Sequence, residues 1–373
     1  MDIFEELGIR RYINAQDTFT KYGASCMGEE SLRAMAEIAG SMVDLAEVQE
    51  KTGDAIAGLT QNEGAYISNG AAGGLMICAA ACMALDSEEA YRALPESGTR
   101  REIILQRAQH NPYDKCIEAA GAKLVFLGEE SMPPSEAELA NAITEKTAAI
   151  AYFIYHGRDG SLPLERVLEI GHAHGVPVIV DAAAQNPPAE NLWRFTQMGA
   201  DMVIFSGGKT LRGPQDSGLI LGRREWIARC RRWGPPTDGV CRCCKTSREA
   251  MAGLYAALKV YMARDTDEER HRLLAACIRF EQTLHTCGFT RVRREEEGPV
   301  GQDFPRVLGE MPFGSAAWLC AEMKAEGVYI GSDERENTII LNPLMLTPGE
   351  VEEVCDTLLR CTAGYLASNR NEW

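Results

Sequence analysis

The stretch "VPVIVDAA" constrains the fold most, because five apolar residues precede Asp181 without any polar alternation. A strand with this pattern is typical of one that is buried on both faces of a sheet. Other short apolar runs, "REIILQR", "TAAIAYFIY" and "ADMVIFSGG", are separated by helical segments through the first 260 residues. Strands that alternate with helices predict an α/β fold, in which a mostly parallel sheet is covered by helices.

The pattern changes after residue 248, where a long helical stretch runs to about residue 286. Strand, strand, helix, strand, strand and helix signals follow it, which is typical of a small α+β unit. We therefore predict a large α/β domain over residues 1–265 and a smaller C-terminal α+β domain over residues 266–373. The N-terminal segment, residues 1–50, could pack on the small domain.

The charge balance argues against nucleic acid as a partner. The chain carries 54 acidic and 38 basic residues, a net charge of -16, and such a surface repels a polyanion. The N-terminus "MDIFEELGIRRYIN" lacks the features of a secretion signal, and no apolar run reaches the length of a membrane span. We expect a cytoplasmic protein with neither membrane nor nucleic acid as a partner.

The thirteen cysteines are expected to be reduced thiols, as is usual in the cytoplasm. Three of them fall in "CRCCKTS", from Cys241 to Cys244, which resembles part of a metal-binding motif. Zinc sites combine spaced pairs of ligands, and no second cysteine or histidine pair lies at a matching spacing. The sequence therefore predicts no metal site, and a thiol that touches the active site remains an alternative.

Ligands of such sheets bind at the carboxyl ends of the strands, where Asp181 and Lys209 are predicted to lie. Lys209 is not part of a phosphate-binding P-loop, because residue 203 is valine and Gly213-Pro214 prevents a following helix. A surface lysine and a turn-capping aspartate are the structural alternatives. Together the two residues suit pyridoxal phosphate, since a lysine forms the Schiff base and an aspartate keeps the pyridinium protonated.

A phosphate group also needs backbone N–H donors at the start of a helix. "SNGAAGGL" offers Gly70, Ala71 and Ala72 after a strand, although simple close packing explains small residues equally well. Ser206 could add a hydroxyl group to the phosphate site. His110, after the strand "EIILQR", could stack on the cofactor ring or be an ordinary loop histidine.

Five segments in this order resemble a known family: "INAQDTFTKYGAS", "SNGAAGGL", "IILQRAQHNPYDKCIEAAGAKL", "HAHGVPVIVDAAAQNPPAENLWRF" and "GADMVIFSGGKTLRGPQDSGLILG". Together they resemble the selenocysteine synthase-like group of fold-type I pyridoxal phosphate enzymes. Within it they are most similar to the D-glucosaminate-6-phosphate ammonia lyase branch. The resemblance covers residues 10–262. It implies Lys209 as the Schiff-base lysine, Asp181 as the pyridinium partner, Ala183 under the ring and His110 over it.

The chain departs from this family at two places. The usual "INAAGT" is "INAQDT" here, so that Gln16 and Asp17 replace small residues in a segment expected to reach the active site. The usual "RPMKVGKE" is "CRCCKTSRE", which keeps Lys245 and Glu249 but introduces cysteines. These changes bear on the substrate more than on the cofactor.

The resemblance implies a lyase that forms a homodimer or a higher homo-oligomer, with active sites shared between subunits. Such an enzyme removes the Cα proton of a small amino acid, eliminates a β substituent and yields a 2-oxo acid and ammonia. A sugar amino acid such as D-glucosaminate 6-phosphate is one candidate substrate, whose carboxylate Arg212 could bind. The alternatives are a seryl-tRNA selenium transferase, a racemase and an aminotransferase.

Overall fold

The computed structural model describes residues 2–96, 98–154 and 160–368, which divide into two compact units. The larger unit is Ser25–Ala263, and the smaller one combines Met1–Ala24 with Arg264–Trp373. Sequence analysis placed the N-terminal segment in the large domain and allowed it to pack on the small one. In the structure residues 1–24 cluster with the C-terminal part of the chain, and residues 25–50 do not.

The larger unit is built on a sheet in which, among the described residues, seven strands lie in the order β2-β8-β7-β6-β5-β3-β4. Strands β3 to β7 pair in parallel, whereas β8 is antiparallel to both β2 and β7. Numbered along the whole chain, the strands are β2 (Gly64–Asn69), β3 (Glu102–Gln106), β4 (Lys123–Leu127), β5 (Thr147–Phe153), β6 (Val178–Asp181), β7 (Met202–Ser206) and β8 (Ser217–Gly222).

Helices cover this sheet and enclose apolar cores. Within β6, Val178, Ile179 and Val180 are all buried, as the lack of polar alternation predicts. The helices are α2 (Glu29–Ala39), α3 (Leu45–Leu59), α4 (Gly70–Ala84), α5 (Glu88–Arg92), α6 (Lys115–Ala119), α7 (Glu136–Ala142), α8 (Leu164–Ala173), α9 (Asn191–Gln197), α10 (Arg224–Trp233) and α11 (Arg248–Met262). The α/β fold class is confirmed.

The smaller unit has its own sheet, whose described strands follow the order β1-β11-β12-β10-β9. Its strands are β1 (Ile13–Ala15), β9 (Val292–Glu295), β10 (Arg306–Glu310), β11 (Val328–Asp333) and β12 (Thr338–Leu341). Its helices are α1 (Ile3–Leu7), α12 (Thr266–Thr286), α13 (Ala316–Ala325) and α14 (Pro348–Ser368). The predicted order of strands and helices is present, and β1 adds a strand that sequence analysis missed.

The long helical stretch after residue 248 is two helices rather than one. Helix α11 ends at Met262, and Asp265 begins α12 by accepting hydrogen bonds from the backbone N–H groups of Asp267 and Glu268. An aspartate at this position satisfies N–H groups that have no partner within the helix. None of the described helices is both long enough and apolar enough to span a membrane.

Candidate active site

Asp181 is the last residue of β6 and is half-buried. Its Oδ1 atom accepts a hydrogen bond of 2.9 Å from the N–H of Ala183. Loss of water contact raises the pKa of Asp181 to about 6, although this hydrogen bond and the charge of Lys209 both act to lower it. The carboxylate is thus poorly compensated and suits a cationic partner.

Lys209 lies in the turn that follows β7, the parallel neighbour of β6. Two hydrogen bonds hold this turn to other segments. Ser25 Oγ donates to the carbonyl of Gly208 at 2.7 Å, and Thr210 Oγ1 donates to that of Asn186 at 2.9 Å. Because β6 and β7 are parallel neighbours, Asp181 and the turn that carries Lys209 lie at the same edge of the sheet.

Ser206 and Ala183 join the same edge of the sheet. Ser206 ends β7, and its N–H donates to the carbonyl of Ala183 at 3.3 Å. Ala183 follows Asp181 by two residues and receives its hydrogen bond. Four residues selected from the sequence therefore lie at the carboxyl ends of β6 and β7.

The turn from β2 into α4 contains Gly70, Ala71 and Ala72, all of them half-buried. Gly70 has a φ of 69°, a left-handed conformation that favours glycine. The preceding residue, Asn69, provides no side-chain cap for α4 in the described part of the chain. The first N–H groups of α4 are therefore available to an anion, and the helix dipole favours one there.

Gly218 on β8 allows the close approach that this turn requires. A Cβ atom there would lie 2.3 Å from the carbonyl carbon and oxygen of Gly70. We predict that Gly218→Ala destabilises the protein by about 1–3 kcal/mol, as overpacking does, and weakens cofactor binding by displacing Gly70. Urea unfolding and titration of cofactor-free enzyme with pyridoxal phosphate measure the two effects.

Gly58→Ala is the matched control, because a Cβ atom at that helical position meets no atom within 4 Å. It should leave cofactor affinity unchanged and add up to about 1 kcal/mol of stability, since alanine favours a helix over glycine. Equal behaviour of the two variants would contradict the role given to Gly218.

His110 follows β3, and its Nδ1 atom lies 2.5 Å from Oδ2 of Asp114. Asp114 is fully buried, whereas the imidazole ring is exposed and meets the edge of Phe126. The contact with the buried Asp114 side chain fixes the orientation of the imidazole ring. Sequence analysis missed Asp114, although its position four residues after His110 was the available signal.

Cys116 was also missed and lies close to this group. The charges of Asp181 and Asp114 both contribute to raising its pKa, after burial as the main cause. It packs against the apolar cluster that contains Cys244. Cys116 is therefore a thiol near Asp181 and Asp114 that is separate from the Cys241–Cys244 cluster.

The remaining predicted residues are the candidates for binding substrate, namely Arg212, Lys245, Gln16 and Asp17. Arg212 is half-buried in the turn after Lys209, and its N–H donates to the Lys209 carbonyl at 2.9 Å. Lys245 is exposed and follows a 3-10 turn, Val240–Cys244. Gln16 and Asp17 belong to the smaller unit, where they follow β1, whereas the other candidates belong to the larger one.

These residues fit pyridoxal phosphate. The α4 turn offers N–H donors for a phosphate, and the half-buried carboxylate of Asp181 suits a protonated ring nitrogen. Lys209 reaches the same edge of the sheet, and His110 presents an exposed ring held by Asp114. The group has one anion site, one carboxylate and one lysine, as this cofactor requires.

Comparison with known proteins agrees with this interpretation. The L-seryl-tRNA selenium transferase (SelA) family matches residues 46–296. A D-glucosaminate-6-phosphate ammonia lyase of Salmonella typhimurium is 34% identical over 268 residues, which are 70% of each chain. A 5'-C-glycyluridine monooxygenase-decarboxylase of Streptomyces is 31% identical over 368 residues, covering 94% of this chain and 90% of that protein.

A solved structure of a D-glucosaminate-6-phosphate ammonia-lyase has a TM-score of 0.85 and 27% identity, with 98% of this chain and 99% of the other covered. The resemblance inferred from the sequence motifs is thereby confirmed, as is the fold class. The chain belongs to the SelA family and is a pyridoxal-phosphate-dependent enzyme of fold type I.

Proposed function

We propose that the protein is a pyridoxal-phosphate-dependent lyase that deaminates a small 3-hydroxy amino acid. D-glucosaminate 6-phosphate is the first candidate substrate, because a lyase of that name is 34% identical. The observation that carries the cofactor chemistry is the pairing of Asp181 with Lys209 at the ends of neighbouring strands. We also propose a cytoplasmic location.

The residues of the site have separate roles in the proposed reaction. When bound, pyridoxal phosphate supplies an electron sink that makes the Cα proton of the amino acid acidic. Lys209 holds the cofactor and then takes that proton as the general base. Asp181 keeps the ring nitrogen protonated, and the N–H groups of Gly70, Ala71 and Ala72, with Ser206, hold the phosphate.

Two residues orient the reacting groups. Arg212, which follows Lys209 by three residues, binds the substrate carboxylate through a two-point contact. His110 would hold the cofactor ring, and Asp114 fixes the orientation of the imidazole through the 2.5 Å contact. Loss of the C3 hydroxyl group as water, followed by addition of water and release of ammonia, gives the 2-oxo acid. The water that is lost equals the water that is added, so the overall reaction releases only ammonia and needs no oxidant.

The test is incubation of the cofactor-loaded enzyme with D-glucosaminate 6-phosphate, D- and L-serine, and D- and L-threonine. Equal amounts of ammonia and 2-oxo acid from one of these would support the lyase. Oxygen uptake with release of carbon dioxide would instead support the chemistry named for the Streptomyces relative. Exchange of the Cα proton in D₂O without net product would support a racemase.

We predict that the enzyme does not bind tRNA at physiological salt, since its net charge is -16. Filter binding with bulk tRNA measures this directly. Sub-micromolar affinity that weakens as salt increases would contradict the prediction and favour the selenium transferase alternative.

We further propose a homodimer in which Lys245 of one subunit approaches the cofactor phosphate of the other. The residue is exposed beside the 3-10 turn, Val240–Cys244, and a cation there can contact an anion of a partner. Lys209→Ala and Lys245→Ala should each be inactive. Co-expression should restore activity in hybrid dimers, because one of their two sites carries both native residues.

Hybrids confirmed by mass that stay inactive would rule out the shared site. Light scattering provides the independent check of assembly. A monomer at working concentration would rule out the dimer itself.

A further inference from the structure

Three sulfur atoms from distant parts of the chain meet on the side of α4. Cys243 Sγ lies 3.9 Å from Cys244 Sγ, and both approach Met76 Sδ, at 3.8 Å and 3.4 Å. Met76 belongs to α4, 167 and 168 residues earlier in the chain than the two cysteines. The 3-10 turn, Val240–Cys244, presents the two thiols to it.

From this arrangement we infer that Met76, Cys243 and Cys244 form a binding site for a soft monovalent cation, namely Cu(I). A circle through the three sulfur positions has a radius of about 2.1 Å, close to the bond of about 2.3 Å between a thiolate and a metal such as zinc. An ion slightly out of their plane would contact all three at bonding distance.

The ligand chemistry selects Cu(I) over other biological metals. Thiolate and thioether donors are soft, and such donors favour Cu(I), whereas carboxylates and carbonyls suit magnesium and calcium. Zinc needs four ligands, and no group of three or more histidine, cysteine, aspartate or glutamate residues suited to a metal occurs in the described part of the chain. Two thiolates and one thioether satisfy Cu(I) with three bonds.

The three sulfur ligands differ in their exposure to solvent. Cys243 is exposed in the single chain, whereas Cys244 is buried and Met76 half-buried. Two thiolates and Cu(I) carry a net charge of -1, and the exposed side chains of Arg242 and Lys245 flank it in sequence.

The motif "CRCCKTS" by itself predicts no metal site, because it lacks a second pair of ligands. The third ligand is a methionine on another element, so no spacing pattern could reveal it. The inference is independent of the proposed lyase reaction, because none of its ligands takes part in the chemistry assigned to Lys209 and Asp181.

The test is titration of the reduced, cofactor-loaded enzyme with Cu(I) under anaerobic conditions, in competition with the chelator bathocuproine disulfonate. We expect one copper per chain, with three sulfur neighbours at about 2.3 Å by X-ray absorption. Met76→Leu keeps both thiols and the apolar volume, and should lower Cu(I) affinity at least 10-fold and leave two sulfur neighbours. Cys243→Ser should have a larger effect.

Two control variants match these substitutions. Met42→Leu changes an exposed methionine, and Cys26→Ser removes an exposed thiol. Both should bind Cu(I) as the native chain does. Met76 and Cys243 are not buried, so the test does not depend on the folding of a Cys244 variant. The inference would be overturned by native Cu(I) affinity in Met76→Leu, or by equal losses of Cu(I) affinity in Cys26→Ser and Cys243→Ser. The three sulfur atoms would then be packing contacts without a metal.

Discussion

Borohydride reduction of the cofactor-loaded enzyme is expected to leave a stable pyridoxyl label on Lys209. The residue lies in the turn after β7, where its charge reaches Asp181 on the neighbouring strand. Lys209→Ala should lose turnover by at least about 10³-fold, because one side chain serves as both cofactor anchor and general base. Peptide mass mapping after reduction locates the label.

Lys259→Ala is the control, since it removes an exposed lysine from α11 in the same unit. It should retain native turnover and the label on Lys209. A label on any other lysine of fully loaded native enzyme would show that the assignment is wrong. So would substantial turnover in Lys209→Ala.

The second large effect is expected for Asp181→Asn, which should lower kcat by about 10² to 10³-fold, the range seen when one electrostatic partner is removed. Asparagine keeps a hydrogen-bonding side chain but cannot hold the ring nitrogen in its protonated form. The loss should therefore lie mainly in kcat rather than in KM. Steady-state kinetics on the loaded variant, with cofactor content measured, separates the two.

The same substitution should stabilise the cofactor-free protein. The folded pKa of Asp181, about 6, lies above the ordinary value of 3.8. The folded chain therefore binds this proton more tightly than the unfolded chain does, and stability falls as pH rises between these two values. Asp181→Asn has no titrating group at this position, so it does not lose stability in this way. The difference between its Tm and that of the native chain should therefore grow from pH 3.8 to about pH 6 and stay constant at higher pH.

Asp201→Asn is the comparison for both measurements. Asp201 is buried just before β7, at the opposite end of that strand from Ser206, where it accepts from the N–H of Val178 at 2.8 Å and pairs with His172. Its loss should lower Tm and leave kcat of the folded enzyme unchanged. Native turnover in Asp181→Asn, or a lower Tm in its cofactor-free form above pH 6, would contradict the role of Asp181.

Much of the site could be predicted because its residues stand at strand ends. Apolar runs without alternation located β6 and β7, and the polar residues just after them, Asp181 and Lys209, were the natural candidates. Asp114 was harder to find, because the spacing of four residues from His110 is common in sequences and burial of the carboxylate is decided by the tertiary structure.

The sequence by itself determined the order of helices and strands and the α/β class, and it predicted the Asp181–Lys209 pair, because periodicity and strand ends are local properties. Only the tertiary structure decided which strands pair. In that structure β8 lies between β2 and β7 and is antiparallel to both. Strand β1 pairs in parallel with β11, so that residues 13–15 lie beside residues 328–330. Backbone hydrogen bonds between strands carry no residue code, so distant partners are selected by packing of the whole chain.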